Sequence, residues 1–198
     1  MSTRQQVVGA ILGEHRALSA VIEALRHVAQ AVEQGSLQPD YVMLWSLIYY
    51  IDQYPETHHH PMEEQALFPA VRARTPDLDE VLDELGRQHG ASRAHLDELR
   101  ALLGNMEAGI PGARSAFAAK ASSYAGFHQR HMLLEESRVL PTAIELLREQ
   151  DWEALLPRVQ QRADPLDGHA VNSDPWFREF FRRLVAIVPQ PWGLGAPR

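Results

Sequence analysis

The sequence predicts an all-α protein, an antiparallel up-and-down four-helix bundle with a C-terminal helical extension. Apolar residues recur at helical three- and four-residue steps, and Gly- or Pro-rich breaks divide them into long segments joined by short loops. The chain of 198 residues is 45% hydrophobic and 23% charged, an ordinary globular composition that can form one core. We expect a single domain, with the bundle at residues 1–150 and the extension at 151–198 packed on it.

The first helix is predicted by an apolar series that begins near residue 7 and ends before Gly35-Ser36. A single helix face requires this three- and four-residue spacing. The members of the series are Val7, Val8, Ile11, Leu12, Leu18, Val21, Ile22, Leu25, Val28 and Val32.

The second helix is expected to begin near Pro39, since proline suits a first helical turn. Its apolar residues are Leu44, Leu47, Ile48 and Ile51. Pro55 and Pro61 lie inside it, and each lacks a backbone donor and clashes with the preceding turn. We therefore predict a kink or short break at 54–61, followed by helix to about Arg74.

The third helix is predicted at about 78–107, after a turn in which Asp77 is a candidate N-cap. Its apolar residues are Leu78, Val81, Leu82, Leu85, Leu96, Leu99, Leu102 and Leu103. A loop at 108–112 precedes the fourth helix, which we expect at about 113–149 with a bend near Pro141.

Beyond Asp151 the sequence predicts a short helix, a polar stretch at 164–174, a helix around 175–188 and an irregular tail. The aromatic residues of this part indicate a C-terminal segment that wraps on the bundle. They are Trp152, Trp176, Phe177, Phe180, Phe181 and Trp192.

The composition excludes several classes of function. Nineteen Lys and Arg against 26 Asp and Glu give a net charge of −7 without a basic run, so no nucleic-acid partner is expected. There is no cysteine, which excludes disulfides, thiolate metal sites and a cysteine nucleophile. The N-terminal residues resemble neither a secretory signal nor a membrane span, so we expect a cytoplasmic protein that does not enter a membrane.

An internal repeat contains the candidate site. His-x-x-x-Glu-Glu followed by a nearby Leu or Phe and then Pro occurs at 59–69 and again, 72 residues later, at 131–141. A lone histidine precedes each motif, His15 and His89, at an offset of 74. The chain thus consists of two similar helical hairpins, each with one histidine on its first helix and His-x-x-x-Glu on its second.

This spacing indicates a two-metal site. Residues i and i+4 lie one turn apart on the same helix face, so His and Glu can bind one ion while the second carboxylate oxygen reaches another. The expected metal ligands are His15, His59, Glu63, His89, His131 and Glu135. Nitrogen and oxygen ligands without thiolate suit iron; manganese or zinc is less favoured.

Other residues offer alternatives. A single His-x-x-x-Glu is commonly a surface pair, and only the repeat favours a metal site. His60 and Glu64 have the same spacing, but His59 and Glu63 align with the second motif. Glu136 is the alternative to Glu135. Further residues remain open: His128 as a fifth histidine ligand, and Tyr124 as a phenol that hydrogen-bonds a bound molecule. We expect ordinary surface or core positions for His27, His95 and His169.

Together, His15, the His-His-Pro-x-Glu-Glu run at 59–69, His89 and the His-Met-x-x-Glu-Glu run at 131–141 resemble the hemerythrin-like HHE cation-binding domain, stand-alone bacterial type. The resemblance implies a non-haem di-iron centre of two iron ions held by the same six residues. It implies that the protein binds or senses dioxygen or nitric oxide, or takes part in iron homeostasis. The alternative is a di-iron enzyme activating dioxygen or peroxide, with oxidase, ferroxidase or peroxide-scavenging activity.

The sequence departs from oxygen-carrying hemerythrin at the third helix. The carrier has two histidines four residues apart there, whereas His89 is followed by Arg93. The missing histidine leaves a coordination position for water, His128 or an external ligand. This departure counts against simple reversible oxygen carriage. Among the competing functions, a binding or sensing role is favoured over an enzyme.

Overall fold

The computed structural model describes residues 1–160 together with Glu179, Arg182 and Ala186. Helix is the only regular secondary structure in this part of the chain, which confirms the all-α prediction there. Of the helix expected around 175–188 only these three residues are described, and the C-terminal tail and His169 lie outside the described residues. None of the described helices is long and apolar enough to cross a membrane.

Helix α1 spans Thr3–Glu33 and begins with a capping box. The Ser2 hydroxyl accepts a hydrogen bond from the backbone N–H of Gln5, whose side chain accepts one from the Ser2 N–H. Gly35 follows the helix at φ 73°, a left-handed conformation that glycine adopts without steric cost. The apolar face of α1 packs against the second and fourth helical segments of the chain and against the last described helix.

The second helical segment is nearly continuous from 41 to 72. Its successive pieces are α2 (Tyr41–Gln53), π1 (Pro55–His59), α3 (His60–Met62), π2 (Glu63–Leu67) and α4 (Phe68–Arg72). Asp40, and not Pro39, begins it, because the Asp40 side chain accepts a hydrogen bond from the N–H of Met43 at 3.0 Å. The kink or short break expected at 54–61 corresponds to an irregular residue, Tyr54, followed by a wider π turn.

Helix α5 spans Asp79–Glu107, and the fourth segment consists of α6 (Ala113–Leu134), π3 (Glu135–Val139) and α7 (Leu140–Leu146). The prediction that Asp77 caps α5 is wrong: its N–H donates to the Thr75 hydroxyl, and the helix begins two residues later. The fourth segment ends at Leu146, not at Glu149, because Leu147 is extended. Helix α8 spans Glu149–Gln160.

The π turns have a cause in the repeated sequence. Pro69 and Pro141 each lie two residues after the end of one of them, π2 and π3 respectively. A proline ring clashes with the carbonyl four residues earlier. The preceding turn therefore widens, with hydrogen bonds from Phe68 to Glu63 and from Leu140 to Glu135, both spanning five residues. These two π turns, π2 and π3, thus each begin at a glutamate that the sequence predicts to bind metal.

Two apolar clusters make up the core, and α1 contributes to both. Val7 and Ile11 belong to one cluster, together with Trp152 of α8, while Leu18 and the apolar residues after it belong to the other. His15 lies between them, so the buried polar residues of the protein are enclosed by apolar packing at both ends. Trp152 is 1% exposed, which gives this part of the extension a firm contact with α1.

Candidate metal centre

Four buried histidines form two pairs at the centre of the packed helices. The Nε2 atoms of His15 and His59 lie 3.2 Å apart, and so do the Nε2 atoms of His89 and His131. Each pair joins the lone histidine of one hairpin to the His-x-x-x-Glu histidine of the same hairpin. All four side chains are at most 6% exposed.

Two buried carboxylates lie between these pairs. Glu63 places Oε1 3.5 Å from His59 Nε2 and Oε2 3.5 Å from His89 Nε2. Glu135 places Oε2 3.3 Å from His15 Nε2 and Oε1 3.2 Å from His131 Nε2. Each carboxylate therefore directs one oxygen to each histidine pair, the arrangement that a bridging carboxylate requires.

The six residues predicted from the sequence fall into two overlapping groups of four. One contains His15, His59, Glu63 and Glu135; the other contains Glu63, His89, His131 and Glu135. Within each group the candidate ligand atoms lie within 4.8 Å of one another, so each could hold a metal ion.

The buried oxygen atoms of these groups fit a cation. Glu63 Oε2 and both carboxylate oxygens of Glu135 have no hydrogen-bond partner among the described residues. A buried carboxylate without a partner is costly, and a positive ion placed among these oxygens would remove that cost. The nitrogen and oxygen donor set also suits a non-haem metal.

The outer ring nitrogens of His59 and His131 each bond to a residue that directly precedes a lone histidine in the sequence. His59 Nδ1 donates to Glu14 at 2.7 Å, and His131 Nδ1 donates to Gln88 at 3.0 Å. The hydroxyl of Tyr54 donates to the other oxygen of Glu14 at 2.7 Å. These bonds direct Nε2 toward the centre.

The lone histidines are oriented by the second glutamate of the opposite motif. His15 Nδ1 donates to Glu136 at 2.9 Å, and His89 Nδ1 donates to Glu64 at 2.8 Å. Glu64 and Glu136, which the spacing leaves as alternative ligands, therefore contact the outer ring nitrogens and remain 46% and 42% exposed.

The two motif histidines, His59 and His131, have pKa shifts in opposite directions. Burial lowers the pKa of His59, but attraction by Glu63 and the hydrogen bond to Glu14 outweigh it and raise the pKa to about 9. Burial lowers the pKa of His131 to about 4, and attraction by Glu135 does not offset it. Burial and repulsion by Glu135 raise the pKa of Glu63, whereas His131 and His15 hold the pKa of Glu135 well below its usual range despite burial.

A further set of buried polar residues lies beside the second pair. Ser92 donates to Glu56, and its Oγ lies 3.0 Å from His128 Nε2 and 3.5 Å from the Tyr124 hydroxyl. His60 stacks on His89 with ring centroids 4.1 Å apart. Of the remaining histidines, the described His27 and His95 bond to Glu23 and Lys120, away from the centre.

Sequence reasoning missed Glu14 and Gln88. Both immediately precede the histidines aligned by the repeat, in Gly13-Glu14-His15 and Arg87-Gln88-His89, so the alignment contains the signal that marks them. Ser92 and Glu56 had no such signal, because their partners come from different helices.

The comparison with protein families agrees with this geometry. The model of the hemerythrin HHE cation-binding domain matches residues 6–143. The chain belongs to this family. The match includes both hairpins and all six candidate ligands of the HHE domain, and it ends before α8. A search of curated proteins finds no match.

Proposed function

We propose that this HHE-domain protein binds two iron ions within an antiparallel up-and-down four-helix bundle that residues 1–150 form, with the extension packed on it. His15 and His59 would hold one ion, His89 and His131 the other, and Glu63 and Glu135 both. The observation that carries the proposal is the placement of the two oxygens of each carboxylate toward different histidine pairs.

The ligand atoms and the family membership both favour iron as the bound metal. The two groups offer imidazole nitrogen and carboxylate oxygen without thiolate, and the chain has no cysteine to supply one. Family membership supports a cation at this position. Manganese and zinc bind to the same kinds of ligand atom. Elemental analysis of the purified protein must therefore distinguish them from iron.

The proposed role is to bind or sense a small diatomic molecule, dioxygen or nitric oxide, or to take part in iron homeostasis. A bound iron pair would supply reversible coordination and electron exchange. The protein residues hold the four imidazoles through their Nδ1 atoms, and the apolar clusters on either side limit access of water to the centre.

An enzyme that activates dioxygen or peroxide is the second candidate. Its support is the polar set beside His89 and His131, where His60 and His128 could pass protons to a substrate. In an oxidase, a ferroxidase or a peroxide scavenger, these imidazoles would move protons during each turnover.

Two measurements test these proposals. Elemental analysis of protein purified from iron-replete cells should find close to two irons per chain; no metal, or one zinc, contradicts the two-iron site. Stopped-flow spectra of the reduced protein mixed with dioxygen should then show a stable band that disappears when dioxygen is removed. Rapid conversion to the ferric state with release of product would instead support the enzyme.

A further inference from the structure

The two halves of the centre are equivalent in their ligands but not in what surrounds them. One turn after each lone histidine the chain has Leu18 in the first hairpin and Ser92 in the second. One residue after each His-x-x-x-Glu histidine it has His60 in the first motif and Met132 in the second. Leu18 and Met132 belong to an apolar cluster, whereas Ser92 and His60 belong to the polar set beside His89 and His131.

His60 is a buried residue whose Nδ1 lies 3.7 Å from Oε1 of Glu56, beyond hydrogen-bond distance. It is 3% exposed, and neither of its ring nitrogens makes a hydrogen bond. Its ring is stacked on His89 with an interplanar angle of 15°. An imidazole lone pair lies in the ring plane, so two nearly parallel stacked rings cannot direct their lone pairs at one ion. His60, His89 and His131 each offer a nitrogen within 4.8 Å of the others. In this stacked orientation, however, His60 and His89 cannot both bind one ion, so Nε2 of His60 is available for another group.

His128 offers a second unsatisfied atom on the same side. The single hydroxyl proton of Ser92 goes to the carboxylate of Glu56, so Ser92 Oγ accepts from His128 Nε2. A neutral imidazole has one donor and one acceptor, which leaves the unpartnered His128 Nδ1 as a buried acceptor. The His60 and His128 rings are almost parallel, with centroids 6.1 Å apart.

The ring partners also differ between the halves. His59 donates to the carboxylate of Glu14, whereas His131 donates to the neutral amide of Gln88. A carboxylate partner makes an imidazole a more basic ligand. An ion held by His89 and His131 would thus receive less electron density and attract an added ligand more strongly than its neighbour.

We propose that the exogenous ligand binds on the His89 and His131 half, in a pocket whose hydrogen-bond donor is His60. The ligand class is a small anion or diatomic molecule of two or three atoms that binds through a lone pair and accepts a hydrogen bond from His60. At the equivalent positions of the repeat, Leu18 and Met132 are apolar residues of a core cluster. This inference rests on the proposed two-iron site and adds to it the position and the recognition groups.

Azide titration of the iron-loaded protein, followed by its absorbance, tests this pocket. His60→Met, which copies the residue at the equivalent position of the other motif, should weaken azide binding by about tenfold or more, because an azide hydrogen bond is lost. His60→Gln retains a donor and should recover most of the affinity. Met132→Leu, at the equivalent position of the other motif, is the matched control and should bind azide as the unchanged protein does.

Two further readings separate a ligand pocket from a structural role. The His60→Met protein should still hold two irons, and its metal-free form should unfold at a higher temperature, since two unsatisfied buried nitrogens are removed. Unchanged azide affinity in His60→Met, or a loss in Met132→Leu equal to that in His60→Met, would overturn the pocket while the two-iron proposal stands. Absence of iron from the unchanged protein would overturn both.

Discussion

His15 and Glu136 lie 121 residues apart in the chain and form a hydrogen bond of 2.9 Å between Nδ1 and Oε1. Glu64 and His89 form the corresponding bond at 2.8 Å. Each hairpin therefore supplies the carboxylate that orients the lone histidine of the other hairpin. The candidate centre depends on both halves being docked, and a single hairpin cannot complete it.

Changing the orienting carboxylates should weaken metal binding without abolishing it. Glu64→Gln and Glu136→Gln keep an acceptor oxygen, so both proteins should retain two ions. Glu136→Ala removes the acceptor, and loss of such an outer partner typically reduces metal affinity by about 10–100-fold. Competition with a chelator measures the change, and Glu145→Ala, an exposed site on α7, is the control. Equal affinity in Glu136→Ala and the control would show that the bond to His15 has no part in metal binding.

Removing one inner histidine should release metal and destabilise the protein. His59→Ala or His131→Ala leaves buried carboxylates without their cation, and uncompensated buried charge costs about 3–5 kcal/mol. Metal content and urea unfolding measure the two effects. His60→Ala should retain metal, as should His27→Ala at a partly exposed site. If His60→Ala loses metal and His59→Ala keeps it, the ligand pair is His60 with Glu64.

The shared carboxylates should matter more than any single terminal ligand. Two cations close together repel, and a carboxylate that joins them offsets part of their charge, which a histidine cannot do. Glu63→Gln or Glu135→Gln keeps the side-chain size but removes the charge, so each protein should hold at most one iron. Mössbauer spectra or magnetic susceptibility report whether two coupled irons remain. Two coupled irons in both variants would exclude a bridging role.

A pH effect is expected where α8 begins. Arg74 makes a bidentate contact with Asp151, which also accepts from the N–H of Arg148 at 2.8 Å. Partial burial raises the pKa of Asp151, but its bond to the Arg148 backbone and its pairing with Arg74 outweigh this and lower the pKa. The stabilisation is thus present above the unfolded pKa of about 4 and is lost as pH falls through the folded value.

Asp151→Asn should therefore lower the free energy of unfolding at pH 7 by about 0.5–1 kcal/mol, as expected for a partly exposed ion pair. The difference from the unchanged protein should shrink as the pH approaches 3. Urea unfolding at several pH values measures it, with Glu153→Gln at an exposed position of α8 as the control. A difference that persists undiminished at low pH would contradict the ionic explanation.

Local sequence pattern was sufficient to predict the long helices and the candidate ligands of this protein. The apolar periodicity predicted the long helices, because each must bury one face, and the described helix bounds differ from it by a few residues. The repeat selected six residues that the structure brings together. It selected His59 and Glu63 over His60 and Glu64, and the structure places Glu64 on the outer nitrogen of His89. That these six bind metal stays a prediction.

Other features depend on contacts between distant segments, and only the tertiary structure shows them. Pro55 and Pro61 predicted a kink or short break in the second segment, but not that π turns would form there and before Pro69 and Pro141. Sequence spacing cannot place Ser92 beside Glu56 and His128, since the three come from different helices. The sequence by itself determined the helices and the paired ligand motifs, which are local. Only helix packing decided that Ser92, Glu56 and His128 lie together on one side of the centre. Their contact requires three helical segments to place these residues at the same level of the packed helices.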